Sequence, residues 1–260
     1  MSKAKHAFCW SECVTSDAQA TTAFYTQLFN WSSSNKTMGN GLEYHTFFLS
    51  VEPCGALHAM PDEMIAQGVP SHWAYFISTP DLAATLAKVQ EAGGEVIQDI
   101  VEVKNSGKLG IITDPGGALL HIWEAEKEKG YGNFAPGQKG TPAWFDLMTP
   151  DAEAAIAFYG AVFGWEARDM ELQHLPYWLL MDQDVPVGGM MISTNAEEEG
   201  SNSWIQYFNS HDVEADSKRA ESLGGKILVP AQDVPVGRFS ILADPSGAMF
   251  GLLWMKQQEK

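Results

Sequence analysis

The sequence is poor in cysteine. Cys9, Cys13 and Cys54 form an odd, sparse set without a Cys-x-x-Cys pair, which excludes a disulfide framework and a thiolate zinc knot. Basic residues are scarce as well: 16 Lys and Arg stand against 33 Asp and Glu, a formal charge of -17. A surface of that sign repels phosphate backbones and anionic lipid, so neither a nucleic-acid nor a membrane partner is expected. Long apolar runs are also missing. Gly117 to Trp123 is among the longest, far short of the roughly 20 residues that cross a bilayer. Met1 to Trp10 contains no apolar signal-peptide core. The expectation is a soluble, cytoplasmic protein with free thiols.

What is present is globular: 260 residues, 45% hydrophobic and 19% charged. Each half is long enough to bury about two-thirds of its unfolded surface and to support a core of its own. The halves also repeat. WSECVTSDAQATTAFYTQLFNW from Trp10 matches WFDLMTPDAEAAIAFYGAVFGW from Trp144 at 10 of 22 positions. Two further pairs follow in the same order. Trp73-Ala-Tyr-Phe leads through Asp81 to Gly93-Gly94, as Trp204-Ile-Gln-Tyr-Phe leads through Asp212 to Gly224-Gly225. Asp114-Pro-Gly-Gly then corresponds to Asp244-Pro-Ser-Gly. The expected organisation is a domain over residues 1–127, a Gly- and Pro-rich linker over 128–141 and a second domain over 142–260.

A finer period divides each half in two, with module starts at Trp10, Trp73, Trp144 and Trp204. Each module opens on a strand-like stretch and continues into a helix that Asp can cap: Ser16 or Asp17 in the first, Thr149 or Asp151 in the third. Ala20, Phe24 and Leu28 give the first helix one apolar face; Leu82, Leu86 and Val89 do so for the second, which stops at Gly93-Gly94. Strand-like stretches follow at Tyr44–Val51, Cys54–Met60, Gly110–Thr113 and Ala118–Trp123, the last two joined by the Asp-Pro-Gly-Gly turn. The pattern predicts an α+β fold of four βαβββ modules with mostly antiparallel sheet.

The Asp-x6-Phe-Tyr helix, the Gly-Gly after the second helix and the Asp-Pro-x-Gly hairpin, twice in order, resemble the vicinal oxygen chelate superfamily of glyoxalases, bleomycin-resistance proteins and extradiol dioxygenases. The resemblance covers nearly the whole chain. It implies two glyoxalase-like domains, each a curved sheet of two paired modules around a cavity, with metal ligands on the cavity face. One family ligand lies fourteen residues before the Phe of Phe-Tyr, which is Trp10 here and Trp144 in the second copy. Another falls at or next to Trp73 and Trp204. The last lies seven residues after the hairpin Asp, at His121 and Gly251; His58 and Met191 lie near the remaining one. Indole has an N–H donor and no in-plane lone pair, so Trp holds no divalent cation. The expectation is therefore no intact family metal site and no required cofactor, with a metal ion left open.

Taking those ligand positions as inward-facing, strand alternation points Trp10, Glu12, Trp73, Tyr75, His121 and Trp123 into the first cavity, and Trp144, Asp146, Trp204 and Gln206 into the second. With His58, these are the candidate ligand-binding residues, and Glu12 with His121 is the candidate catalytic acid/base pair. Each assignment has a packing counterpart: a buried Glu–His hydrogen bond, and indole rings as core. Cys54 reads as a small buried hydrophobe, His45, His174 and His211 as local or surface residues, and Glu197-Glu-Glu as a solvated run. Two functions follow. One is a lyase- or isomerase-like enzyme moving protons beside a small carbonyl, with a metal-dependent lyase as its variant. The other is a module that sequesters an aromatic or cationic molecule. Both take a small-molecule partner, and tandem fusion makes a monomer plausible.

Overall fold

The computed structural model describes residues 4–38, 41–127, 130–171, 176–193 and 202–256. His174 and the Glu197 run lie outside them. The four modules form as the pattern predicts. The first is β1 (Phe8–Thr15), α1 (Ala18–Phe29), β2 (Ser32–Thr37), β3 (Glu43–Leu49) and β4 (Glu52–Ala59), followed by a short helix α2 (Asp62–Ala66). The second is β5 (His72–Ser78), α3 (Leu82–Glu91), β6 (Glu95–Val103), β7 (Gly107–Thr113) and β8 (Leu119–Ala125). The third is β9 (Pro142–Thr149), α4 (Ala152–Phe163), β10 (Glu166–Asp169), β11 (Tyr177–Asp182) and β12 (Val185–Ile192). The fourth is β13 (Ser203–Asn209), α5 (Val213–Ser222), β14 (Lys226–Val234), β15 (Gly237–Ala243) and β16 (Met249–Met255).

Local chemistry explains these boundaries. Asp17, Asp81, Asp151 and Asp212 each accept a backbone N–H three residues on, the predicted caps. Helix α4 ends on Gly164 at φ +73 and α1 on Asn30 at φ +57, a left-handed position that Asn tolerates. The sheets are mixed. Their strand orders are β2-β3-β4-β1-β5-β8-β7-β6 and β10-β11-β12-β9-β13-β16-β15-β14. Hairpin neighbours run antiparallel, as in β3–β4 and β7–β8, whereas β1–β4, β5–β8, β9–β12 and β13–β16 run parallel.

Two compact units emerge, and each draws on both halves of the sequence. One comprises the described residues up to Trp10 with Tyr75–Gly130 and Phe145–Ile205; the other comprises Ser11–Ala74, Tyr131–Trp144 and the described residues from Gln206 onwards. Each has the same buried relay at its centre. In the first unit, Tyr159 of α4 donates to Asp114 (3.0 Å), and Trp204 donates its indole N–H to Tyr159 Oη (2.9 Å). Asp114 also accepts from Gly116 N, Ala118 N and Asn202 Nδ2. Gly94 lies under Phe158, where a Cβ would come within 2.6 Å of the ring. In the second unit, Tyr25 of α1 takes the Trp73 N–H (2.8 Å) and donates to Asp244. Asp244 likewise accepts from Ser246 N and Ala248 N, with the Cys13 thiol 3.8 Å away.

Burial raises both aspartates above the ordinary carboxylate range, against the pull of the hydrogen bonds they accept. Burial also pushes the Tyr25 and Tyr159 hydroxyls well up, so they stay neutral donors. The Phe-Tyr and Asp-Pro-x-Gly signatures are thus two ends of one polar clamp inside an aromatic core.

Candidate functional site: two tyrosine–carboxylate pairs

Strand alternation gives β1 two faces. Cys13 and Thr15 face the clamp, and Glu12 and Val14 face away from it. Across the β1–β4 ladder Glu12 lies opposite Ala56 and Val14 opposite His58; across β3–β4, Tyr44 lies opposite His58. The Tyr44 hydroxyl donates to Glu12 Oε1 at 2.5 Å. His58 Nε2 stands 3.8 Å from Glu12 Oε2, with both side chains largely covered (18% and 15% exposed). His58 Nδ1 lies 3.1 Å from Ala59 O. That bond places the proton on Nδ1 and directs the Nε2 lone pair, or its proton, toward the carboxylate. The three groups form a site that can take, hold and return a proton.

The third module repeats the arrangement with different residues. Asp146 lies opposite Gly189 and Met148 opposite Met191, while Tyr177 lies opposite Met191. The Tyr177 hydroxyl donates to Asp146 Oδ1 at 2.9 Å. Asp146 is buried, 5% exposed. Sequence reasoning missed both tyrosines. They occupy matching positions in the two sheets, each two strands over from a matching acid, so only the strand register brings the pairs together.

The other candidates separate. Trp73 and Trp204 are buried, and their indole N–H groups donate to Tyr25 and Tyr159. An indole that cannot ligate a cation can still donate, and the clamp uses that. Tyr75 is buried edge-on against Phe145 at 5.7 Å, and Gln206 is fully buried. The residue that meets His121 is Phe76, on the opposite face of β5 from Trp73 and Tyr75, in a T-shaped contact at 4.6 Å. His121 and Trp123 are half-buried on β8; Trp10 and Trp144 are half-buried on β1 and β9. Glu12 belongs to one compact unit and His121 to the other. His45 is half-buried, and exposed His211 lies 3.2 Å from Gly137 O. Burial pushes the Cys9 thiol up to about 12 and the Cys54 thiol up as well, which disfavours thiolate chemistry at either.

Among the described residues no three His, Cys, Asp or Glu side chains gather in ligand geometry. At Gly251 a Cβ would lie 2.1 Å from the Tyr207 ring, so that ring fills the space a ligating side chain would need. No helix among the described residues is long and apolar enough to cross a membrane.

Two tandem βαβββ pairs carrying these motifs define a class, and comparison with known proteins agrees. The chain belongs to the Glyoxalase/Bleomycin resistance protein/Dioxygenase superfamily, whose model matches residues 7–122 and again 141–252. It is 34% identical over 247 residues to the protein named "Putative glyoxylase CFP32" of Mycobacterium tuberculosis (strain CDC 1551 / Oshkosh), covering 94% of this chain and 93% of that one. It is 29% identical over 262 residues to the anthracycline biosynthesis protein DauV of Streptomyces sp. (strain C5), covering 95% and 93%. Among solved structures it resembles the Mn(II)-bound glyoxalase of Novosphingobium aromaticivorans (TM-score 0.67, 14% identity, 97% of this chain and 83% of that one). It also resembles the 2,3-dioxygenase LapB of Pseudomonas sp. KL28 (TM-score 0.63, 11% identity, 97% and 93%). At those identities the two structures speak for the fold alone.

Proposed function

We propose that this protein acts on a small planar carbonyl compound by proton transfer at Glu12, without the family metal. The observation that carries the reading is the Glu12 carboxylate held by Tyr44 beside His58. A carboxylate fixed by a phenol and flanked by an imidazole has the equipment of a general base. The names of the relatives, a glyoxylase and an anthracycline biosynthesis protein, point to carbonyl and fused-ring chemistry and support that class.

The test is exchange of the methyl protons next to the ketone of methylglyoxal, a 2-oxoaldehyde probe, followed by NMR in deuterated water with metal-stripped protein. Glu12→Gln is expected to lower the exchange rate by about a hundredfold or more. Unchanged exchange in Glu12→Gln, or exchange that appears only when a stoichiometric divalent cation is restored, would overturn the reading.

A further inference from the structure

The fourth module carries a hollow on its helix side where the second module carries a side chain. Helix α5 packs across β14 and β15 as α3 packs across β6 and β7. Leu86 of α3 is 6% exposed and lies against β7, its methyl carbons 3.2 Å from where a Cβ on Gly110 would be. At the matching position α5 has Ser217, whose hydroxyl turns back to Val213 O at 2.6 Å. Ile100 of β6 likewise corresponds to Ala231 of β14. Two large apolar side chains have become small ones. A hollow of about 330 Å³ lies there between α5 and the sheet, with Ile227, Pro230 and Ala231 as its apolar lining. That is the lower end of the roughly 300–1,000 Å³ typical of small-molecule sites.

The rim of the hollow is wired differently as well. In the second module Lys108 is paired with Glu124 (2.9 Å), which is itself fixed by Leu82 N (2.8 Å). The matching cross-strand pair of β15 and β16 is Arg238 and Trp254, so the guanidinium has no acid across the ladder. It reaches instead for Asp233 (2.9 Å) and Glu214 (3.9 Å), and Lys218 pairs with Glu214 (2.8 Å). The two acids are 57% and 78% exposed, and ion pairs that open to water hold weakly and exchange partners. We propose that this hollow binds a small zwitterion, an α-amino acid with a branched apolar side chain. Its carboxylate takes the Arg238 fork, its ammonium takes Glu214, and its side chain fills the space that Leu86 fills in the second module. Two cations and two acids around one apolar hollow suit a ligand with one charge of each sign. A net anion would meet the -17 of the chain, and a net cation would meet Arg238 and Lys218. Proton transfer at Glu12 is not required for this binding.

Titration of the isotope-labelled full chain with L-leucine, followed through its amide NMR shifts, decides it. Saturable shifts are expected at Ile227, Ala231 and Arg238. 4-Methylpentanoate lacks the ammonium and 3-methylbutylamine lacks the carboxylate; each is expected to bind about tenfold or more weakly than leucine, the loss of hydrogen bonds to a charged group. Arg238→Gln weakens leucine by about the same factor. Trp254→Glu gives Arg238 an acid across the ladder and weakens leucine without altering the hollow. Ser217→Leu refills the hollow with the residue of the second module and abolishes binding. Ala231→Ile, at a half-buried strand position, fills it from the other side and does the same should Ser217→Leu fail to fold. Near-UV circular dichroism identical to the parent shows which variants are folded. No saturation in the millimolar range, shifts that persist in a folded, refilled variant, or equal binding of the acid or the amine overturns the proposal. Proton exchange at Glu12 is expected to be unchanged in all these variants, so the two readings fail separately.

Discussion

The two halves of the chain agree where they build the core and differ on the opposite face of the sheet. The clamps superpose in role almost group for group: Tyr25 with Tyr159, Asp244 with Asp114, Trp73 with Trp204, each Asp accepting two hairpin amides. On the sheet face, Glu12 with His58 becomes Asp146 with Met191, and His121 against Phe76 becomes Gly251 under Tyr207. The difference teaches which residues are constrained by folding. A buried donor or acceptor cannot be changed without stranding its partner, so the duplicated clamp stays fixed, whereas the opposite sheet face is free to be retuned.

The sharpest way to break this equivalence is to remove an acceptor. Asp114→Ala and Asp244→Ala each leave a tyrosine hydroxyl and two hairpin amides without their buried partner. Each is expected to cost about 3 kcal/mol or more, since an orphaned buried group costs about 1–3 kcal/mol. Urea unfolding measures both, and a large cost for one variant with none for the other would show that the clamps are not equivalent. Acid alone should not reproduce the effect. A carboxyl whose folded pKa is raised contributes stability at low pH and loses it as pH rises through that value.

A smaller effect tests the divergent face. Gly251→Ala forces a methyl group into the Tyr207 ring and should cost about 1–3 kcal/mol, as overpacking does; an unchanged thermal midpoint would mean that the ring moves away freely. The smallest concerns how each half is entered. Trp165 donates to His6 O (3.1 Å) as Trp31 donates to Gly140 O (2.9 Å). Only the first tie carries a titratable group. Burial lowers His6 below its usual value, with Ser78 O and Asp182 raising it and Lys88 and Lys5 adding to the lowering. A depressed imidazole contributes stability above its unfolded value near 6.5 that is lost as pH falls through the folded one. His6→Gln should therefore flatten the stability profile below pH 6.5, read from thermal midpoints across that range. A profile unchanged by the variant would refute this.

Much of the fold was legible because its signals are local. Asp caps, Gly stops and the Asp-Pro-x-Gly turns act within a few residues, and the repeat showed each of them twice. Strand β2, SSSNKT, was not read at all, since it is polar and exposed throughout and gives no alternation to detect. The site was less legible. Alternation put Trp73 and Tyr75 on one face of β5, but which face met the helices depended on a partner for the indole N–H. Tyr25 supplies it from 48 residues away in the chain. Tyr44 and Tyr177 were missed for a related reason: a lone tyrosine in a strand is ordinary, and only the cross-strand register shows the acid it touches.

Interleaving also has a consequence for synthesis. The unit built around α1 also contains Asp244 and β16, so it closes only after they have been made. At roughly 5–20 residues per second on a ribosome, the first helix waits on the order of ten seconds or longer with Phe24, Tyr25 and Phe29 uncovered. Nascent chains of this protein should therefore lean on holding chaperones in proportion to how slowly the second half is translated.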